Sequence, residues 1–250
     1  MLERSEALVL RAVDFSQTSR IVTFLCPDRG RMACMVKGVR RPRSAIAGML
    51  DKFHLLEIVY VWKDSRRVQQ LTDCSLLQAY GGLRDDLDKS MFAAVPLEIV
   101  DTVAHDNEPS RELYAALVSG LEGLDKWAGD VRSYVSWFML RLLAASGFAP
   151  AVQSCYSCGG EVSSAPGFAY AGGVTCKRCA SDRRLSSQDY IALSAFSENK
   201  EGCPAPEVDA GLFQILTRYA SHQIERDLRS ARVLDQMFGS AAGARHGGRQ

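Results

Sequence analysis

Between Glu6 and Leu77 apolar residues alternate with polar ones in short runs, and after Gly82 they recur every three or four residues. The first regime has the period of strands with one buried face, the second that of amphipathic helices. EALVLRAVDF (6–15), SRIVTFLCP (19–27), RMACMVKGVR (31–40), FHLLEIVYVWK (53–63) and RVQQLTDCSLL (67–77) are rich in Val, Ile, Leu and Phe and predict five strands. Asp28-Arg29-Gly30 offers a hairpin turn between the second and third, and Lys63-Asp64-Ser65 a turn between the fourth and fifth. Strands in so short a stretch must hide their edges, so a small closed or half-closed barrel is predicted, with the five-stranded OB type as the leading form.

The helical regime begins with RDDLDKSMFAAVPLEIVDTVA (84–104), where Leu87, Met91, Val95, Ile99 and Val103 lie four apart and Pro96 is placed to kink the helix. RELYAALVSGLEGLDKW (111–127) follows, and then DVRSYVSWFMLRLLAASGF (130–148), which opens on Asp130 as N-cap and closes on Gly147. SSQDYIALSAF has capping-box spacing at Ser186 and Asp189, and GLFQILTRYASHQIERDL (211–228) is a further helix. The expected organisation is α+β: an N-terminal OB-type β-barrel over 1–80, a helical domain over 81–240 with an inserted four-cysteine loop at 153–182, and a small, polar, disordered tail at 241–250.

Composition narrows the compartment. The 250 residues are 47% hydrophobic and carry a net charge of +1. Glu3, Arg4, Glu6 and Arg11 break every apolar run near the start, and no later stretch reaches the length of about 18 apolar residues that a membrane span needs. A cytoplasmic location is expected, and a reducing cytosol disfavours a disulfide framework. Of eight cysteines, Cys26, Cys34, Cys74 and Cys203 stand singly and read as small hydrophobes. Cys155, Cys158, Cys176 and Cys179 form two C-x-x-C pairs, the spacing of a four-thiolate zinc site. Each pair sits near a glycine doublet, Gly159-Gly160 and Gly172-Gly173, that lets two sulfurs turn toward one tetrahedral ion, and Lys177 and Arg178 would offset thiolate charge. Four cysteines close the coordination shell, which favours a single structural zinc over a catalytic one; two pairs between helices do not match a redox C-x-x-C in a βαβ unit. The remaining alternative is a loop that keeps this shape without metal.

Charge is unevenly placed. Residues 1–80 hold thirteen Lys and Arg against eight Asp and Glu, a net of +5 in a chain of +1. Its densest cluster is KGVRRPRS, with Lys37, Arg40, Arg41 and Arg43 on a strand end and the loop after it. Such a loop can neutralise phosphates without reading bases, or it can simply be a solvated loop. Phe15, Phe24, Phe53, Tyr60 and Trp62 share the module, but alternation makes most of them core, and none is singled out for stacking.

No enzyme is predicted. His54, His105, His222 and His246 have no partner at metal or triad spacing, and Asp85, Asp86 and Asp88 read as an acidic first helical turn. The glycine doublets match neither a P-loop nor a dinucleotide fingerprint.

Taken together, EALVLRAVDFSQTSRIVTFLCPDRGRMACMVKGVRRPRS, FMLRLLAASGFAPAVQSCYSCGG and GFAYAGGVTCKRCA resemble the bacterial RecO family of DNA repair and recombination proteins. The resemblance implies a mediator of the RecF pathway, nucleoid-associated in the cytoplasm. Such proteins bind single- and double-stranded DNA, anneal complementary strands, engage the acidic C-terminal tail of single-stranded-DNA-binding protein (SSB) and work with RecR to load RecA. On that reading Lys37, Arg40, Arg41 and Arg43 neutralise phosphates of two strands, with Arg20, Arg29 and Arg66 as weaker candidates for the same surface. A zinc-stabilised interaction scaffold whose basic loop meets an acidic protein is the competing expectation.

Overall fold

A computed structural model describes residues 1–250 except 164, 200–201, 204–207 and 239–250, so the expected 241–250 tail lies outside the described residues. No described helix is long and apolar enough to cross a membrane. The chain forms two compact units: Met1–Arg84 with Val100–Asp125, and Asp85–Ile99 with the residues from Lys126 on. The five-stranded barrel lies in the first unit, and the second is mainly helical with one small three-stranded sheet.

In the first unit β1 (Leu2–Asp14), β2 (Arg20–Cys26), β3 (Gly30–Val36), β4 (Leu55–Val61) and β5 (Val68–Gln78) close a barrel in the order β1-β2-β3-β5-β4. All neighbours are antiparallel except β3 and β5, which run parallel over Ala33–Val68 to Met35–Gln70. The alternation does what it promised: Val22, Phe24, Met32, Cys34, Val36, Leu56, Ile58 and Tyr60 fill the interior. Cys26, Cys34 and Cys74 are part of that core, and burial pushes the Cys26 thiol up to about 12 and Cys74 to about 11, as small hydrophobes require. Gly30 takes φ +63 at the predicted turn, where a Cβ would overlap the Glu108 carbonyl oxygen.

The helices α1 (Gly81–Asp85), α2 (Leu87–Val103) and α3 (Arg111–Lys126) follow. Within the first unit, the Tyr114 hydroxyl of α3 donates to Glu6 at 3.2 Å and Arg111 pairs with Asp28 at 2.8 Å. Pro96 stays inside α2, and Asp86 caps that helix by accepting from the Lys89 N–H at 3.0 Å. The four-residue stripe only partly describes its burial. Leu87 is exposed, whereas Phe92, Ala93, Val95, Leu97, Ile99 and Val100 are all enclosed.

In the second unit α4 (Val131–Ala145) is capped by Asp130, whose carboxylate accepts from the Ser133 N–H at 2.7 Å, and Gly147 takes φ +81 just past its end. A three-stranded sheet follows, β6 (Gly167–Ala169) between β7 (Gly173–Thr175) and β8 (Arg183–Arg184). The predicted capping box at Ser186 and Asp189 opens α5 (Ser187–Glu198). The helix expected over 211–228 ends early, as α6 (Ala210–Gln223), and α7 (Arg229–Phe238) follows where no helix was expected. Glu98 of α2 caps α7: its carboxylate accepts from the Arg229 N–H at 3.0 Å, the Ser230 N–H at 2.8 Å and the Ser230 hydroxyl at 2.6 Å.

Candidate nucleic-acid interface and metal centre

The loop after β3 begins at Lys37 and is built from turns. Arg41 N–H donates to the Gly38 carbonyl at 3.1 Å, and Ser44 N–H to the Arg41 carbonyl at 3.2 Å. In the second turn Pro42 precedes Arg43, which takes φ +66, the arrangement of a type II turn. Glycine is the usual residue there, so an arginine is held at a cost of about 1 kcal/mol. Lys37, Arg40, Arg41 and Arg43 are all exposed.

Their neighbours divide them. Asp14, at the end of β1, pairs with Arg20 at 3.0 Å and with Arg40 at 3.3 Å. Arg40 also donates from Nη1 to the Ser16 carbonyl at 2.8 Å and from its backbone to the Thr18 carbonyl at 3.1 Å, tying the β1–β2 loop to the basic loop. Lys37, Arg41 and Arg43 have no carboxylate partner among the described residues, so three cationic charges there face solvent uncompensated.

Arg29 and Arg66 lie elsewhere. Arg20 pairs with Val36 across β2 and β3, whereas Gly30 and Cys26 mark the opposite end of that ladder. Six residues of strand separate these ends by about 20 Å. Arg29 belongs to the far end, where it bonds Glu3 at 2.6 Å and lies 4.3 Å over the Trp62 ring. Glu3 also accepts from the Tyr60 hydroxyl at 3.0 Å, so the Arg29 charge is already satisfied, and its pKa is raised chiefly by the Glu3 hydrogen bond. Arg66 is exposed and unpaired among the described residues, in a turn fixed by buried Gln69, whose amide donates to the Lys63 and Arg66 carbonyls at 3.1 and 2.8 Å. The structure thus brings Arg20, Lys37, Arg40, Arg41 and Arg43 to one end of the barrel and leaves Arg29 and Arg66 at the other. Sequence reasoning missed Asp14, the carboxylate that organises this end; its place beside FSQTSR at a strand terminus was the available signal.

His54 is buried, with Nδ1 2.9 Å from the Met49 carbonyl and Nε2 3.3 Å from Arg84. A carbonyl can only accept, so Nδ1 carries the proton and Nε2 accepts from the guanidinium. Both nitrogens of a neutral ring are thereby used in structure.

The four cysteines of the C-x-x-C pairs come together in the second unit. Their sulfurs all lie within 4.8 Å of one another, and Cys158 and Cys176 are 3.8 Å apart. Zinc–sulfur bonds of about 2.3 Å place tetrahedral sulfurs about 3.8 Å apart, so the cluster has the dimensions of a four-thiolate metal shell. The backbone positions it. Cys155 N–H donates to the Gly160 carbonyl at 2.9 Å and Gly159 N–H to the Cys155 carbonyl at 2.8 Å, while Tyr156 N–H reaches the Val174 carbonyl of β7 at 2.8 Å. Ala151 exchanges bonds with β7 through the Gly172 carbonyl at 2.9 Å and the Val174 N–H at 2.8 Å. The first cysteine turn is therefore stitched to the strand that leads into the second.

Hydrogen bonds from backbone amides, Cys176 first and then Cys158 and Ser157, draw the Cys155 thiol down to about 6, and amides of Arg178 and Cys179 lower Cys176. Cys179 moves the other way, to about 12, because hydrogen bonds with the Cys158 and Cys176 side chains favour its protonated form. The backbone amides thus favour thiolates at Cys155 and Cys176. Soft thiolate ligands in a tetrahedral array fit zinc or iron.

The chain combines a closed five-stranded barrel bearing an exposed basic loop with a mainly helical unit bearing a four-cysteine cluster of metal-shell dimensions. The family described as Recombination protein O N terminal matches residues 1–80, and Recombination protein O C terminal matches residues 84–232. The DNA repair protein RecO of Exiguobacterium sibiricum is 31% identical over 251 residues, covering 95% of this chain and 98% of the relative. The protein of that name from an Anaeromyxobacter strain is 32% identical, over 92% of this chain and 94% of its own, and that of Bifidobacterium adolescentis is 30% identical, over 94% and 99%. The chain belongs to the RecO family of DNA repair proteins.

Proposed function

We propose that this protein is a non-enzymatic mediator of recombinational repair in the cytoplasm, at the nucleoid. It binds single- and double-stranded DNA without sequence selection, anneals complementary strands, and acts with RecR and SSB to load RecA. The observation that carries this reading is the basic loop, where Lys37, Arg41 and Arg43 stand exposed with no carboxylate to satisfy them. Arg20 and Arg40, bridged by Asp14, extend the same surface, and Arg66 offers a separate cation at the far end of β3. Charges spread over turns neutralise backbone phosphates and lower the repulsion between two strands, but they present no rigid fork to a base edge. Arg29 contributes through the Glu3, Tyr60 and Trp62 framework that holds the barrel's far end.

Cys155, Cys158, Cys176 and Cys179 hold one zinc ion with a structural role, because four thiolates leave no position for substrate. The tail of SSB, acidic and ending in Phe, has a candidate seat in the second unit. There Phe92, Phe213 and Leu234 line a depression whose rim also carries Asp235, bonded by Gln214 at 3.2 Å, and the Arg132 guanidinium lies 6.0 Å over the Phe92 ring with no carboxylate partner among the described residues. An apolar anchor beside a cation suits such a peptide.

The test is annealing of two complementary oligonucleotides precoated with the cognate SSB, followed by fluorescence across salt concentrations. Acceleration that fades with salt and with Ala at Lys37, Arg41 and Arg43 is the expected result. A folded, metal-loaded protein that does not accelerate annealing would refute the mediator reading in favour of an interaction scaffold.

A further inference from the structure

From the surroundings of Phe15 we infer that this ring is a stacking platform for an unpaired base, set beside the phosphate-binding loop. Six aromatics lie in residues 1–80, and five of them are covered. Phe24, Phe53, Tyr60 and Tyr80 are 0%, 6%, 1% and 2% exposed, and the Trp62 ring is covered by Arg29 while its Nε1 is spent on Asp64 at 2.6 Å. Phe15 is 62% exposed.

An exposed phenylalanine alone says little, but this one is held in place. It follows Asp14, the shared partner of Arg20 and Arg40, and opens the β1–β2 loop. Phe15 N–H and Ser16 N–H both donate to the Ser19 carbonyl, at 3.0 and 3.3 Å, and Ser19 N–H returns to the Ser16 hydroxyl at 3.2 Å. Arg40 then clamps the loop through the Ser16 and Thr18 carbonyls. An apolar ring on an anchored backbone is thus presented to solvent on the loop that Arg40 clamps, at the cost of leaving its surface wet. Single-stranded sites pair cations for the backbone with an aromatic for the base, and the first inter-strand loop of an OB barrel is a customary place for such contacts. Duplex DNA keeps its bases stacked internally and offers this ring nothing. The ring therefore supplies preference for unpaired strands, while the arginines supply affinity for both forms.

The inference rests on the DNA-binding reading, and the two fail differently. Full-length metal-loaded protein and its Phe15→Ala, Phe15→Leu and Phe15→Trp variants would be titrated with fluorescein-labelled oligothymidine and with duplex of equal length. Phe15→Ala and Phe15→Leu should each weaken single-strand binding about tenfold, leave duplex binding within about twofold, and leave the salt dependence of both unchanged, since no phosphate contact is lost. Phe15→Trp should keep the affinity and show fluorescence quenching on addition of oligothymidine, above the background of the other tryptophans. Single-strand binding by Phe15→Ala as tight as the parent's, or an equal loss on both substrates, overturns the stacking role while DNA binding by the parent stands. A parent that binds neither substrate overturns the DNA reading itself and this inference with it.

Discussion

Replacing Lys37 and Arg41 by Ala and Arg43 by Gly removes the three loop cations that have no carboxylate partner, without touching the barrel core. Each lost phosphate contact on a single strand should reduce the slope of log affinity against log salt by about 0.7, so the triple variant should lose about 2 from that slope. Between 50 and 200 mM salt, a fourfold range, the parent's affinity should then fall about 20-fold more steeply than the variant's. Glycine is chosen at position 43 because φ +66 suits it; Arg43→Gly alone should leave stability unchanged or raise it by up to about 1 kcal/mol, which separates loss of charge from loss of fold. Arg29→Ala is the contrasting variant. It should lower stability by about 1–2 kcal/mol by leaving the Glu3 carboxylate only its Tyr60 hydrogen bond, with the salt slope unchanged. The assay is fluorescence anisotropy with a labelled single strand at five salt concentrations, beside urea denaturation of each variant. A triple variant with the parent's slope, or an Arg29→Ala variant whose slope falls as steeply as the triple, would refute the argument that carboxylate pairing decides which cations meet DNA.

Other outcomes follow from the second unit. Burial alone would raise the pKa of Glu98, but the Ser230 hydroxyl, the Ser230 and Arg229 N–H groups and the charge of Arg226 outweigh it, and the value falls below 4.5. Its contribution is present above the ordinary carboxylate range and is lost as pH drops through the lowered folded value; Glu98→Gln should cost about 1–3 kcal/mol at pH 7 in urea denaturation, and the two proteins should converge once pH falls below that lowered value. Gly173 has φ +126 and its missing Cβ would overlap the Ala151 backbone, so Gly173→Ala should destabilise the metal loop by about 2 kcal/mol or more, read as metal released at lower temperature. Cys176→Ser, or chelation of the parent, should release metal and lower the melting of the helical unit while leaving the barrel's salt-dependent DNA binding in place. A fully folded, metal-loaded Cys176→Ser protein would contradict the structural assignment.

The strands were legible because each is a local signal: alternation in RIVTFLC or LLEIVYV needs no knowledge of the rest of the chain, and neither does the Ser186–Asp189 box or the Asp130 cap. The four-cysteine cluster was legible for the same reason, since its two turns each lie within four residues. What escaped was pairing across sequence distance. The charge pattern marks thirteen cations in the first 80 residues but not which of them Glu3, Asp14 or Asp106 neutralise, because that depends on strand register. Arg31, for example, is consumed by Asp106, 75 residues away. The α6–α7 break was likewise hidden in IERDL, because the carboxylate that starts α7 comes from Glu98 on another helix.

Barrel closure has an uneven consequence. β2 and β3 share seven paired positions, whereas the parallel seam of β3 with β5 has three. A closed cylinder has no free edge, so local opening must begin where the fewest bonds are broken, and amides of Ala33 to Met35 facing β5 should exchange with solvent deuterium ahead of those facing β2. Lys37 begins two residues past the end of that seam. The basic loop is therefore anchored on the β2 side through Arg40 and the β1–β2 loop, and the barrel can breathe at its weakest join without letting go of it.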